Sequence, residues 1–244
     1  MKNILGIILI EFTIIFPVFC ADNFKEGLEA FRLKQYNLAL EKFILTLKTD
    51  SNNYKAYFFL GITYRNLGQY ENSIMSFDRV LEFKSLEPAV LSDVYTEMIK
   101  TFLMAKQNKK AIQYGLEGLR VGAPSAKLLN QLARAYLKSY DPKRSQKAAE
   151  KAIMLESDNA ESYYILGLAY MNQNKPERAI IAFETASAFE PENPLYQAST
   201  GWAYETIKEY SSAIRYYQNA NKIKPDPEYQ QAIIRLQSLL NKKQ

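Results

Sequence analysis

Residues 160–193 read AESYYILGLAYMNQNKPERAIIAFETASAFEPEN. Tyr163, Leu166, Gly167 and Tyr170 fall at the spacing that brings side chains to one face of an α-helix. Ala179, Phe183 and Ala186 repeat that spacing on a second stretch, which Pro191 closes. Two short amphipathic helices of this kind cannot bury their apolar faces alone, so the stretch needs neighbours built like itself.

Those neighbours are present. Gly27, Gly61, Gly167 and Gly201 are separated by 34, 106 and 34 residues, and 106 is three periods of 34 plus four. A four-residue insertion, placed at 88–91, brings six units into register, beginning at Cys20, Tyr54, Ser92, Ala126, Ala160 and Pro194. The expected organisation is a signal over 1–20, units one and two over 20–87, the insertion, units three to six over 92–227, and a capping helix over 228–244. In that last segment Tyr229, Ile233, Leu236 and Leu240 share one face, while Gln230, Gln231 and Arg235 lie outside it; this is a polar-backed helix closing an array. Lys242 and Lys243 suit its C-terminal dipole. Asn23 with Glu26 predicts a capping box at the first helix, and Asp141 before Pro142 predicts an N-cap with proline in the first helical position.

The pattern of aromatic, Leu-Gly, Tyr, then Ala, Phe, Ala and Pro in residues 160–193 resembles the tetratricopeptide repeat. The sixth unit is similar through Gly201, Tyr204, Ala213, Tyr217, Ala220 and Pro225, and the second through Tyr57, Leu60, Gly61, Tyr64 and Phe77, with Ser73 in the small place. The first keeps Gly27, Ala39 and Phe43 but has Glu26 where Leu is usual. The fold this implies is all-α: an α-solenoid of six helix-turn-helix units plus a C-terminal capping helix. The middle units depart from the pattern. Gly115 and Gly118 stand in the aromatic and small places of the third, and Ala149 and Ser145 stand in the aromatic and small places of the fourth. Either the core is thinner there but ordered, or the array hinges there.

The resemblance further implies that the first helix of each unit lines a concave groove taking an extended or helical peptide. On that face Phe24, Leu28, Phe31, Phe58 and Ile62 make an apolar N-terminal third with Arg65 at its edge. Lys100, Lys127, Arg134 and Lys138 make a basic middle, and Tyr164, Leu168, Met171 and Trp202 an aromatic C-terminal third. Charge counting supports the middle: residues 92–159 hold twelve basic and seven acidic side chains, whereas 20–91 and 160–244 each hold nine of either sign. The whole surplus of five therefore lies in units three and four, which points to an acidic peptide or a free C-terminal carboxylate as partner, with a merely solvated basic face as the equal alternative. No three consecutive units supply the Lys, Asn, Asn and Lys-Arg set of the chaperone-tail clamp known in cytosolic family members, so that partner is not expected.

The composition closes other routes. The 244 residues contain no His and one Cys, which removes imidazole bases, His ligands, intrachain disulfides and Cys-rich zinc sites. There is no glycine-rich phosphate loop and no segment outside the repeats for a catalytic domain. A non-catalytic scaffold without cofactor or metal is expected, with an enzyme subunit and a nucleic-acid binder as the weaker readings. Residues 1–20, MKNILGIILIEFTIIFPVFC, carry one Lys and then an apolar run from Ile4 to Phe19 broken by Glu11, shorter than a bilayer span. Export is the expectation, with placement in the periplasm or at a cell-envelope membrane. Cys20 is a lipidation candidate, although Phe19 and Pro17 depart from the usual lipoprotein signal, and cleavage after Cys20 or Ala21 is the rival. In size and unit count the chain resembles the six-repeat envelope lipoproteins that assist secretin or outer-membrane barrel assembly.

Overall fold

The computed structural model describes residues 22–122 and 124–242. The proposed signal, Cys20 and Lys243 lie outside them. Thirteen α-helices and no strand make up the described residues. In chain order they are α1 (Asn23–Arg32), α2 (Tyr36–Thr49), α3 (Tyr54–Asn66), α4 (Tyr70–Leu81), α5 (Pro88–Met104), α6 (Asn108–Arg120), α7 (Ala126–Lys138), α8 (Pro142–Leu155), α9 (Ala160–Met171), α10 (Pro176–Phe189), α11 (Pro194–Thr206), α12 (Tyr210–Ile223) and α13 (Pro227–Asn241).

Seven of the thirteen helix starts are capped by side chains that satisfy free backbone N–H groups. Asn53, Ser125, Asp141, Asn159, Asn193 and Asp226 each accept from a backbone amide just inside their helix. Pro142 follows Asp141 in the first turn, as its sequence position predicted. At the first helix the expected Asn23–Glu26 box does not form. Asp22 is the cap, accepting from the Lys25 amide at 3.1 Å, so Asn23 is already helical and the Glu26 carboxylate pairs with Lys42 of α2 instead. Residues 88–91 are not a loop but the first turn of α5, which runs 17 residues against 13 in α3. Pro88 suits that place because its missing N–H would have had no partner there.

Each of the six hairpin turns holds one residue in the left-handed region: Lys34, Gly68, Lys106, Tyr140, Asn174 and Lys208. The residue after it donates its N–H to the carbonyl five positions back, as in Gln69 to Tyr64 at 2.8 Å and Asp141 to Tyr136 at 2.9 Å. One backbone device thus turns every hairpin.

Each second helix packs on the first helix of its own unit and on the first helix of the next, and α13 closes the stack against α12. Consecutive first helices also touch (α1 with α3, α3 with α5, α5 with α7, α7 with α9), whereas no pair of second helices packs comparably. The closer layer is the inside of the curve, so the first helices line the inner face.

Within a hairpin, contact is set by a glycine under a ring. Phe43, Phe77 and Phe183 are fully buried, and a Cβ on Gly27, Gly61 or Gly167 would stand 2.7, 2.7 and 2.4 Å from the ring sixteen residues on. Unit three reverses the arrangement. Ile99 of α5 occupies the glycine place and is fully buried, Gly115 of α6 occupies the ring place, and Tyr95 lies over Gly118 at 2.9 Å from where a Cβ would be. The thinner core expected at this unit is therefore corrected: the bulk has moved from the second helix to the first. In unit four Ala133 and Ala149 are small at both places, and Leu128, Leu132 and Tyr136 of α7 supply the buried volume.

Candidate functional site: the inner face of the first helices

At the N-terminal end, α1 and α3 meet through rings. Phe24 lies 6.0 Å from Phe43 and 6.2 Å from Phe59, Phe31 lies 5.8 Å from Phe59, and Phe58 lies 5.9 Å from Phe77. Phe24, Leu28, Phe31, Phe58 and Ile62 are half-buried: they form the floor of the inner face while holding the first two units together. Phe59, at the centre of this cluster, escaped the sequence reading because it sits one residue off the stripe that Phe58 and Ile62 share.

Arg65 is not a free cation at the edge of that floor. Its side chain is 11% exposed, pairs with the Glu97 carboxylate and donates to the Glu97 carbonyl at 3.2 Å, tying α3 to α5. Lys100 donates to the same carboxylate at 2.7 Å. Arg134 is similarly engaged, donating to Glu161 through Nε at 3.1 Å and Nη2 at 2.9 Å, which ties α7 to α9; its guanidinium also lies 5.8 Å from the centre of the Tyr164 ring. Of the four residues expected to form a basic middle, Lys100 and Arg134 are thus neutralised within the array. Lys127 and Lys138 are exposed and make no ion pair among the described residues. Segment-wise charge counts do not show these pairings, because Arg65–Glu97 and Arg134–Glu161 join residues on neighbouring first helices, about one repeat apart.

At the C-terminal end Tyr164 is corrected from groove lining to core. It is 8% exposed and packs at 5.1 Å on Tyr196 and at 5.8 Å on Phe183, and burial raises the pKa of its phenol. Burial pushes Tyr196 up further, to about 12. Leu168 and Met171 are half-buried, and Trp202 of α11 stands 42% exposed. Leu195, seven residues before Trp202 and so on the same helix face, is 47% exposed and extends the apolar shelf. Glu205 bounds it, bridged to Arg235 of α13 at 2.7 Å and accepting from the Tyr217 hydroxyl at 3.3 Å. The inner face therefore offers an apolar floor, a middle in which Glu97 and Glu161 engage Arg65, Lys100 and Arg134 and leave two lysines free, and an open aromatic shelf. Among the described residues no helix is long and apolar enough to cross a membrane, and no group of three or more acidic or Cys side chains is placed to hold a metal.

Comparison with known proteins agrees with this architecture. A tetratricopeptide repeat model matches residues 130–194 and 167–226, and a second tetratricopeptide repeat model matches residues 54–85. The unmatched stretch between them contains the unit in which glycine and bulk have changed places. None of the curated proteins compared matches the chain. Among solved structures, a chain of the APC/C hetero-tetramer Cut9–Hcn1 superposes with a TM-score of 0.70 at 15% identity over 86% of this chain; this chain spans 41% of that one. PilF of Pseudomonas aeruginosa superposes with a TM-score of 0.67 at 14% identity, covering 86% of this chain and 94% of its own. YrrB, described as a TPR protein with an unusual peptide-binding site, gives 0.57 at 19% identity, covering 78% of this chain and 96% of its own.

Proposed function

We propose that this chain, which belongs to the tetratricopeptide repeat family, is a scaffold whose inner face receives a peptide or helix of another protein. The fold supports protein–protein interaction in general; the groove as the binding place is our reading. The observation that carries it is Trp202, a large aromatic side chain left 42% exposed on the inner face of α11, seven residues after the exposed Leu195. Aromatic anchors of this kind supply most of the energy at protein interfaces. The peptide-binding site named for YrrB lends the reading support from a protein of the same fold.

The preferred ligand is an apolar or aromatic segment on the shelf, followed by an acidic group reaching Lys127 and Lys138, the free cations of the middle. A ligand carboxylate addressing Arg134 would have to displace Glu161. Trp202→Ala is expected to weaken capture of the partner about 30-fold or more, the loss of a hot-spot aromatic. Ile181→Ala, on the second helix α10 where the side chain is 67% exposed, is expected to leave capture unchanged. Crosslinking pulldown with both variants tests this; equal capture by the Trp202 variant would exclude the shelf.

The place of action we infer is the cell envelope of an exporting bacterium, on the strength of the run Ile4–Phe19 in the sequence. Anchoring through a lipid on Cys20, as in an envelope-assembly lipoprotein, is the alternative to simple release. Unchanged membrane partitioning of Cys20→Ser would exclude the lipid.

A further inference from the structure

The charge surplus of units three and four does not lie where the groove reading placed it. Four of its twelve cations are consumed locally: Lys100 by Glu97, Arg134 by Glu161, Arg120 by Glu117 and Arg144 by Asp141. What remains gathers elsewhere, on the outer edge formed by two adjacent hairpin turns. Lys106, Lys109 and Lys110 flank the turn between α5 and α6; Lys138, Lys143 and Lys147 flank the turn between α7 and α8. All six are exposed and none makes an ion pair among the described residues. The turns are joined by Asn108, whose Nδ2 donates to the Lys138 carbonyl at 2.8 Å, and a shallow depression of 640 Å³ between them is lined by Lys106, Lys109 and Lys110 with Ser139. Asp141, the acid of the edge, is committed to the α8 amide and to Arg144 at 2.6 Å. Tyr140 stands at the tip, 92% exposed on a left-handed backbone.

We propose that this edge lays the array against the anionic headgroups of a lipid bilayer. Three features select that occupant. The free cations are all lysines, point charges suited to a diffuse anionic plane, while the guanidiniums that grip carboxylates and phosphates in pairs of hydrogen bonds are already engaged. Tyr140 is of the residue class that settles at headgroup level, and it stands 92% exposed at the turn that Lys138 and Lys143 flank in the chain. The run Ile4–Phe19 in the sequence reads as an export signal, which would deliver the chain to a membrane; this support rests on the envelope reading above. A single-stranded nucleic acid would need stacking platforms, and this edge offers only Tyr140; duplex DNA is the rival that the test below includes. The edge meets the inner face only at Lys138, the last residue of α7, so the array lies on the membrane with its aromatic shelf free.

The test is cosedimentation of the full chain with vesicles of phosphatidylcholine alone or mixed with phosphatidylglycerol. The neutral vesicles report whatever the N-terminal run contributes, and the gain from the anionic lipid reports the edge. Each lysine near such a surface is worth about fivefold in partitioning, so Lys106→Gln, Lys109→Gln and Lys110→Gln together should lower the anionic gain about 100-fold and leave neutral binding unchanged. The gain should also vanish at about 0.5 M salt. A control triple on the opposite edge, Lys55→Gln, Lys84→Gln and Lys222→Gln, carries the same change of net charge and should lose less than about threefold. Equal loss in both triples, no loss in the first, or tighter binding of duplex DNA with the same mutational loss would overturn the proposal. Because neither triple touches the shelf, partner capture separates failure of this inference from failure of the groove reading.

Discussion

Adding one methyl group at Gly167 tests the packing rule that shapes the hairpins. In Gly167→Ala the new Cβ would meet Phe183 Cε1 at 2.4 Å, Cδ1 at 2.5 Å and Cζ at 2.9 Å. The ring is fully buried, with Tyr164 5.8 Å away on one side, so it cannot tip outward without disturbing a second aromatic. Overpacking of this kind costs about 1–3 kcal/mol, against which the better helix propensity of Ala returns about 1 kcal/mol. A net loss of up to about 2 kcal/mol is expected, read as a lower denaturant midpoint and a melting temperature reduced by up to about 8 °C. Gly201→Ala is the internal comparison. Its Cβ would lie 3.2 Å from the Ala213 carbonyl and from the Tyr217 ring, a contact that small adjustments relieve, so propensity cancels strain and stability should stay within about 0.5 kcal/mol. Gly167→Ala combined with Phe183→Leu should lose less than the sum of the two single variants, because the shorter side chain removes the clash. Strict additivity of that pair, or equal effects at Gly167 and Gly201, would refute the claim that a ring on a bare backbone sets the hairpin.

Other outcomes follow from side chains described above. Tyr140→Gly should raise stability by about 1 kcal/mol, since the left-handed backbone strains a residue with a Cβ and a ring 92% exposed gives up no packing; an unchanged denaturant midpoint would count against strain at that turn. Glu97→Gln should cost about 2 kcal/mol by leaving the Arg65 guanidinium, 11% exposed, without its counter-charge, while Arg65→Met with Glu97→Leu should recover most of the loss in urea unfolding. Stability should be level up to about pH 9.5 and then fall as pH climbs from 10 towards 12. The phenols of Tyr196 and Tyr216 are raised to about 12 in the folded chain, chiefly by burial, so the unfolded chain releases their protons first and alkali favours it. Tyr196→Phe should flatten that decline; an unaltered slope would show that the decline arises elsewhere.

The fold was legible because its signal repeats. A glycine every 34 residues with a ring at a fixed distance after it survives in four units, and that is enough to set the register of six. Unit three was harder to read. Ile99 and Gly115 form the same large-and-small pair with the two helices exchanged, and inspection of each place singly registers two losses where the pair has conserved its volume. The four residues 88–91 form one added helical turn at the N-terminus of α5, which leaves the rest of that unit in phase. The inner face was legible as to helix side and not as to charge. Lys100 and Arg134 lie on that face, yet they are paired with Glu97, three residues earlier on the same helix, and with Glu161 on the next first helix, and a segment's net charge does not show which of its groups meet. Tyr164 shows the converse limit: its place in the repeat points to the groove, and the neighbouring Tyr196 closes over it.

The exchange of bulk in unit three makes the array directional in its heredity. Repeats built on one template can be duplicated, lost or spliced across boundaries, because any unit offers the next the same small and large surfaces. Here a splice that passed from the first helix of unit two to the second helix of unit three would set Gly61 against Gly115 and leave a void, and the reverse splice would drive Phe77 into Ile99. Units three and four also carry the lysine edge, so the stretch that resists shuffling is the stretch whose surface is least like the rest. Growth or loss of repeats is thereby confined to the two ends, and the number of units on either side of α5 can change while the centre stays fixed.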